Sequence, residues 1–431
     1  MTSPNTMPHQ PKTKHTPIGD IPVEWETAVL GDLVQVKHGF AFKGEHFSDT
    51  GEFIVLTPGN FLEEGGFRGR GRLDRYYKAE FPPEYLLKAG DLVVAMTEQA
   101  AGLLGSPAII PDTGRYLHNQ RLGLVSILDK ARLDRDFLFR VLNTDSARRH
   151  ISVTAGGTKV RHTSPRKIRS THIPLPPLRE QGEIAEILST WDRAIEQTEK
   201  LIEVRKRRKK GLMQRLLTGE KRFPEFEGTP WRTYRIRELL KEVRRPIEWD
   251  DGALYELISV RRRSGGLFHR DSLYGRQIKT KNLRVARTGD FLISKMQVVH
   301  GAAGLTPPAF DGMKISGSYI ALVARDPDAL LIEYFDCLSQ MPFMYHASYI
   351  SSYGVHIEKM TFNLKLYLGT EISIPPTIDE QARIAAVLNT CDSEISLLRR
   401  KLAALQQQKK GLMQKLLTGK VRVSVPTGEE G

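Results

Sequence analysis

The hexapeptide KKGLMQ occurs twice, at residues 209–214 and 409–414, and each copy runs into the same ending, Leu216-Leu217-Thr218-Gly219 or Leu416-Leu417-Thr418-Gly419. The same offset pairs Glu180-Gln181 with Glu380-Gln381, Ile184-Ala185 with Ile384-Ala385, Leu188 with Leu388 and Asp192 with Asp392. Chance does not align so many positions without a gap, so the chain is a duplicated unit. Whatever it folds into must contain one frame twice.

Each repeat opens after a proline pair, Pro176-Pro177 or Pro375-Pro376. Proline is accepted before or at the first turn of a helix and not inside it. From there to Gly219 or Gly419 no proline intervenes, and the Thr-Gly pairs supply C-terminal stops. Each element is therefore read as a helix of roughly 38 residues, about 57 Å long at 1.5 Å per residue. In the second copy Ile384, Leu388, Cys391, Ile395, Leu398, Leu402, Leu405, Leu412 and Leu416 recur at steps of four and three, interrupted at Lys409. The first copy keeps the register with Ile184, Leu188, Trp191, Ile195, Ile202, Leu212 and Leu216, broken by Thr198, Arg205 and Lys209. Such a heptad seam requires another helix against it, and the other copy is the natural partner.

The segments before the helices repeat more faintly. Trp25 and Leu33 match Trp231 and Leu239, and Gly90-Asp91-Leu92-Val93 matches Gly289-Asp290-Phe291-Leu292, each a turn into a buried strand. Residues 122–127 and 319–324 read as later strands. The intervening sequences differ, so the copies share a frame and carry different surfaces. The expected division is a disordered tail 1–20, a globular domain 21–177, a helix region 178–219, a second domain 220–376, a second helix region 377–420 and a tail 421–431. The frame is thus two globular domains and two long coiled-coil helices, arranged as an internal repeat.

Residue chemistry narrows the function. Hydrophobic residues, at 40%, suffice for cores, while 64 Lys and Arg against 50 Asp and Glu leave a net charge of +14. That excess favours a polyanionic partner, since each cation that displaces a condensed counterion from phosphate adds affinity without reading a base. The two cysteines, Cys337 and Cys391, form no metal-ligand spacing, and a reducing cytoplasm is the expected location. No phosphate-binding GxxxxGK[ST] loop, dinucleotide fingerprint or Asn-Pro-Pro-aromatic motif occurs. His118, His150, His162 and His300 are scattered and read as packing or surface residues. Neither a catalytic centre nor a metal site is expected.

Basic residues on loops are the stronger lead. The first unit offers Lys37, Lys43, Arg68, Arg70, Arg72, Gln120 and Arg121, with a second group at Lys159, Arg161, Arg166 and Lys167. The second offers Arg261, Arg262, Arg263, Arg270, Lys279, Lys281 and Lys295, with Tyr319 and Lys359 later. Lys and Arg serve phosphates, while Arg, Lys, Asn and Gln reach base edges. The plain alternative for any one of them is a solvated basic face. A coiled-coil adaptor with protein-binding ends, or a fused nuclease–methyltransferase, are the competing classes. Divergent basic domains argue against the first, and the missing motifs against the second.

From Pro22 to Val421 the sequence resembles the specificity subunits of type I restriction–modification systems. The strings that carry the likeness are residues 173–181 (IPLPPLREQ) leading into a long helix, the KKGLMQ…LLTG ending, Arg222-Phe223-Pro224-Glu225-Phe226 before Pro230-Trp231, residues 39–43 (GFAFK) and Asn119-Gln120-Arg121. Gly39-Phe40 and Asn119-Gln120 have no clear partner in the second half. The resemblance implies an α/β fold class, with two target-recognition domains separated by two long antiparallel coiled-coil helices in an internal pseudo-two-fold repeat. Each domain would read half of a bipartite, asymmetric double-stranded DNA target. It further implies two adenine-methylating modification subunits and ATP-driven restriction subunits as partners. S-adenosylmethionine, ATP and Mg²⁺ would belong to those partners, and this chain would bind no cofactor.

Overall fold

No proline interrupts residues 178–216 or 378–416, and each run folds as one 39-residue helix, Leu178–Leu216 and Ile378–Leu416. Gly219 (φ 74°) and Gly419 (φ 68°) take the left-handed conformation past each end, where the amides of Lys221 and Val421 return to the carbonyls of Arg215 and Lys415. The computed structural model describes residues 12–99, 102–354, 356 and 360–423. The chain divides into two units, residues 1–197 with 402–431, and residues 198–401. Each unit therefore draws sequence from both repeats.

In the first unit Ile184 and Leu188, near the start of the first long helix, share a core with Leu412, Met413, Leu416 and Leu417 near the end of the second. In the second unit Leu212, Met213, Leu216 and Leu217 share a core with Ile384, Ala385 and Leu388. Start packs on end in both, so the helix segments run antiparallel. Among the other seam positions Ile202 and Ile395 are buried, whereas Trp191, Ile195, Cys391, Leu398, Leu402 and Leu405 are half-buried. The polar interruptions carry ion pairs: Lys209 Nζ meets Asp392 at 2.7 Å, Arg205 meets Glu394 at 3.5 Å, and Lys409 meets Asp192 at 2.5 Å.

The same frame stands on each helix pair. The first unit has an antiparallel sheet ordered Pro107–Ile109, Leu92–Ala95, Leu122–Ile127, Val34–His38; the second has Ala303–Leu305, Phe291–Ser294, Tyr319–Ala324, Leu240–Val243. The repeated Gly-Asp pairs precede the strands at 92 and 291, with Gly90 and Gly289 at φ 86° and 83°. A further pair closes each unit against its helix, Glu26–Val29 with His172–Leu175 and Arg232–Arg235 with Glu371–Ile374. The second sheets differ. In the first unit Phe53–Val55 lies between Tyr76–Tyr77 and a parallel Tyr116–Leu117. In the second unit Leu254–Val260 instead forms a long hairpin with Leu267–Tyr274.

The tails depart from expectation where they are described. Thr13–Thr16 and Gly19–Pro22 form an antiparallel hairpin, not a disordered tail. Gly19 (φ 102°) permits its turn, Thr16 Oγ1 donates to Gly19 O, and Ile21 is buried in the first unit's core. Short segments dense in Pro and Thr carry little local helix signal, and one buried isoleucine decides the matter. The second tail begins docked: Val423 packs on the first unit's core and Arg422 reaches Glu180. Residues 1–11 and 424–431 lie outside the described residues.

Candidate nucleic-acid interface

Glu180 and Glu380, in the first turns of the long helices, anchor the frame on which any binding surface rests. Glu380 accepts from Arg222 Nε (2.8 Å), Arg222 Nη2 (2.6 Å) and Trp231 Nε1 (3.3 Å). Glu180 accepts the same set from Arg422 (2.7 and 2.9 Å) and Trp25 Nε1 (3.0 Å). Both arginines are held above their ordinary pKa, first by these hydrogen bonds. The neighbouring glutamines act as staples. Gln181 Oε1 accepts from the Asp134 amide while its Nε2 donates to the carbonyls of Arg132 and Pro176, and Gln381 does likewise with Leu331, Ala329 and Pro375. The duplicated Glu-Gln pair is thus a fixed footing, and the pairing of its glutamates with Trp25, Arg422, Trp231 and Arg222 was not legible from the repeat alone.

In the first unit several of the candidate residues meet at one edge. Strand pairing sets Leu124 opposite Lys37, and the backbones of Phe40 and Asn119 join in a parallel bridge. Gly39 is required there by close approach, since a Cβ would sit 2.1 Å from Asn119 O. The Met96 amide donates to Arg121 O, and the Thr163 amide donates to Met96 O, which draws the 159–167 group to the same edge. Ser164 caps the short helix Pro165–Arg169 by accepting from the Lys167 amide. Lys43, Gln120, Arg121, Lys159 and Arg166 are exposed, and among the described residues none has a side-chain hydrogen bond or ion pair. Lys37 stands 4.6 Å over the Tyr85 ring.

Arg161 does different work. It pairs with Glu98 at 3.1 Å and also donates to Ser152 Oγ. Glu98 is buried and further accepts from the amides of Gly102, Leu103 and Leu104. Arg161 therefore holds the loop together and is not available to a ligand. His118 is fully buried, and its pKa falls to about 4, chiefly through desolvation and secondarily through Lys37 and His38. It stays neutral at neutral pH and donates from Nε2 to Leu122 O at 3.0 Å, a packing role. Arg68, Arg70 and Arg72 form a separate group around Gly59: Arg68 donates to Gly59 O and Arg70 to Thr57 Oγ1, while Arg72 is exposed.

The equivalent edge of the second unit is built from other residues. Lys295, just after Phe291–Ser294, corresponds to Met96, and Ser316–Ser318 corresponds to Asn119–Arg121. The Lys295 amide donates to Ser318 O and its Nζ to Gly317 O at 2.9 Å. Burial, followed by the charges of Arg284 and Arg244, lowers the Lys295 pKa. Glu242 sits among these cations, accepting from Arg244 at 2.8 and 2.9 Å, with Arg284 Nη1 at 3.7 Å. An open groove beside it is lined by Arg237, Glu242, Arg244, Tyr353, Asn363 and Lys365. Sequence reasoning missed Arg244, Arg284 and Lys365. The Arg244-Arg245 doublet closing the strand was the available signal, passed over for longer basic runs.

Several candidates of the second unit have partners within the unit, and of these Tyr319 alone is buried. Tyr319 is buried and its hydroxyl pairs with Ser259 Oγ at 2.7 Å, which removes it from any contact surface. Lys281 pairs with Asp251, and Arg270 with Asp271. Arg261 donates to Leu267 O and stacks over Phe268, while Arg262 donates to Gln297 Oε1. Arg263 and Lys279 are exposed without a side-chain partner among the described residues. Lys359 lies outside the described residues. Among those described, no His/Cys/Asp/Glu group could hold a metal ion, and no helix is long and apolar enough to cross a membrane.

Comparison with known proteins adds to this geometry. Residues 22–206 match the family described as the type I restriction modification DNA specificity domain. The specificity subunit of the type I restriction enzyme MjaVIII, from Methanocaldococcus jannaschii, is 30% identical over 213 residues. That alignment covers 48% of each chain, so it spans about half the relative's length. The putative MjaX specificity subunit of the same organism is 26% identical over 452 residues, covering 95% of this chain and 96% of the relative. A solved type I restriction–modification S subunit from M. genitalium superposes with a TM-score of 0.59 at 14% identity, over 91% of this chain and 96% of that one. At that identity the superposition speaks for the fold.

Proposed function

We propose that the chain is a specificity subunit of a type I restriction–modification system, which reads a bipartite, asymmetric DNA target and directs partner subunits to it; its likeness to such subunits supports the reading. The observation that carries the proposal is the repeated edge. Both units place basic side chains beside the same step of the same sheet, on a footing fixed by Glu180-Gln181 or Glu380-Gln381. The residues differ: Gln120, Arg121, Lys159 and Arg166 in one, Lys295, Arg244 and Lys365 in the other. One frame with two chemistries is what two unlike half-sites require. Exposed cations supply the sequence-independent grip on phosphate, and the amide and guanidinium groups supply base contacts.

The domains of the reading are residues 21–177 and 220–376, with the long helices as spacer. The subunit is non-catalytic: adenine methylation falls to two modification subunits and cleavage to restriction subunits, which bring S-adenosylmethionine, ATP and Mg²⁺. The test exchanges residues 25–173 for the matching segment of a relative and maps adenine methylation genome-wide by single-molecule sequencing. The expected outcome is a bipartite motif changed in one half. A change in both halves, or loss of the gene leaving the methylome intact while the modification subunit is expressed, refutes the reading.

A further inference from the structure

The hairpin of the second unit turns through Arg261–Gly266, where Arg263 (φ 58°) and Ser264 (φ 51°) both adopt the left-handed conformation. The Gly265 amide closes the turn on Arg262 O at 3.2 Å. Two consecutive left-handed residues define the hairpin turn that Asn-Gly fills at little cost. Arg and Ser are poor choices for it, since each Cβ crowds its own backbone. Strain of this kind persists only where the surroundings over-determine it, and it gathers at functional sites.

The surroundings here do over-determine it. The Arg263 amide donates to His300 O at 2.7 Å and the Ser264 amide to Gly301 O at 2.8 Å. Ser264 Oγ pairs with Tyr345 OH at 2.7 Å, and Arg262 Nε donates to Gln297 Oε1 at 2.6 Å. Gly301 leaves the space Tyr345 needs, because a Cβ there would lie 2.3 Å from the hydroxyl. Every neighbour in the turn is tied down, and the Arg263 guanidinium is exposed without a side-chain partner among the described residues. Gln297, which holds Arg262, is two residues from Lys295, so the turn adjoins the basic edge described above.

We propose that Arg263 is a specificity-determining residue of the second unit, presented by this locked turn to the O6 and N7 edge of a guanine in one half-site. The inference rests on the DNA-reading function proposed above and adds to it a residue and a base. Guanidinium and guanine match as a bidentate pair. A phosphate contact asks for charge alone, which a mobile lysine such as Lys279 supplies. Fixing the backbone beneath a guanidinium removes conformational freedom before binding, which serves a directional contact more than a diffuse one. The first unit makes the contrast. Its corresponding turn, Leu62–Gly66, closes by the Leu62 amide on Gly66 O and leaves the positive φ to Gly65 and Gly66. Its exposed side chains are Leu62, Glu63 and Glu64, so this step differs in charge between the units.

The test uses the full chain assembled with its modification subunits, selecting bound duplexes from a library randomised across both half-sites. Arg263→Ala should lower the preference for guanine at one position of one half-site by about ten- to a hundredfold and leave the other half unchanged. Arg263→Gly should lose the same preference while melting no earlier than the parent, since glycine relieves the strain; a purely structural role predicts no change in preference. Unchanged base preference with a salt dependence shallower by about one phosphate contact assigns Arg263 to the backbone and overturns the proposal. Unchanged preference and unchanged salt dependence overturn it as well. A parent complex without any sequence preference refutes the DNA-reading function itself, an outcome visible before any variant is made.

Discussion

Removing Arg422 should weaken the first unit although the residue stands at the end of the second repeat, nine places before Gly431. Its guanidinium meets Glu180 through two hydrogen bonds of 2.7 and 2.9 Å, and the Glu180 side chain is 2% exposed. Without Arg422 the carboxylate keeps Trp25 Nε1 as its side-chain donor, itself fully buried. Breaking a buried pair by removing one partner costs about 3–5 kcal/mol. Arg422 is 32% exposed, so water can replace part of it, and about 2–3 kcal/mol is the better figure for Arg422→Ala. Native-state hydrogen exchange gives the readout. Amides around Trp25–Leu30 and Leu412–Leu417 should exchange about 30- to 150-fold faster, with those of residues 231–240 and 380–388 unchanged. The double-mutant cycle with Glu180→Gln isolates the pair: Arg422→Ala should cost markedly less once the carboxylate is neutral. A loss under about 0.5 kcal/mol, an additive cycle, or protection lost in the second unit would refute the reasoning.

Other outcomes follow from single residues. Burial pushes the Asp336 carboxyl up to about 6, against the Leu305 amide and Lys209 that favour its charged form. A raised acid pKa favours the fold at low pH, and that contribution is lost as pH rises from about 4 through 6; Asp336→Asn should therefore raise the second unit's stability at pH 8 by about 3 kcal/mol and leave it little changed at pH 4, a pattern thermal melts would contradict by shifting equally at both. Leu388→Asp, at a fully buried position, should destabilise by more than about 4 kcal/mol, and Leu398→Asp, half-buried, by clearly less; equal denaturation midpoints would break the seam assignment. Arg166→Ala should lower the slope of log affinity against log salt by about 0.9 without moving the melting temperature. Arg161→Ala should do the reverse, destabilising the loop around buried Glu98.

Local pattern determined the parts that repeat. Two helices without internal proline, two Gly-Asp turns into buried strands and two Thr-Gly stops follow from propensity and periodicity, and the structure has all of them. The tertiary structure decided how the copies complete each other. Arg222 closes on Glu380 and Arg422 on Glu180, the latter across 242 residues, so each unit is finished by the other repeat's ending. Periodicity is blind to such a choice, because any of 64 cations can pair with any of 50 carboxylates until packing brings two together. The same limit governs the candidate interface. Sequence could gather Arg161 and Tyr319 with Gln120, Arg166 and Arg263, since all are polar residues in or beside loops. Whether a side chain is consumed by the fold or left for a ligand depends on its neighbours in space, and only the folded chain supplies them.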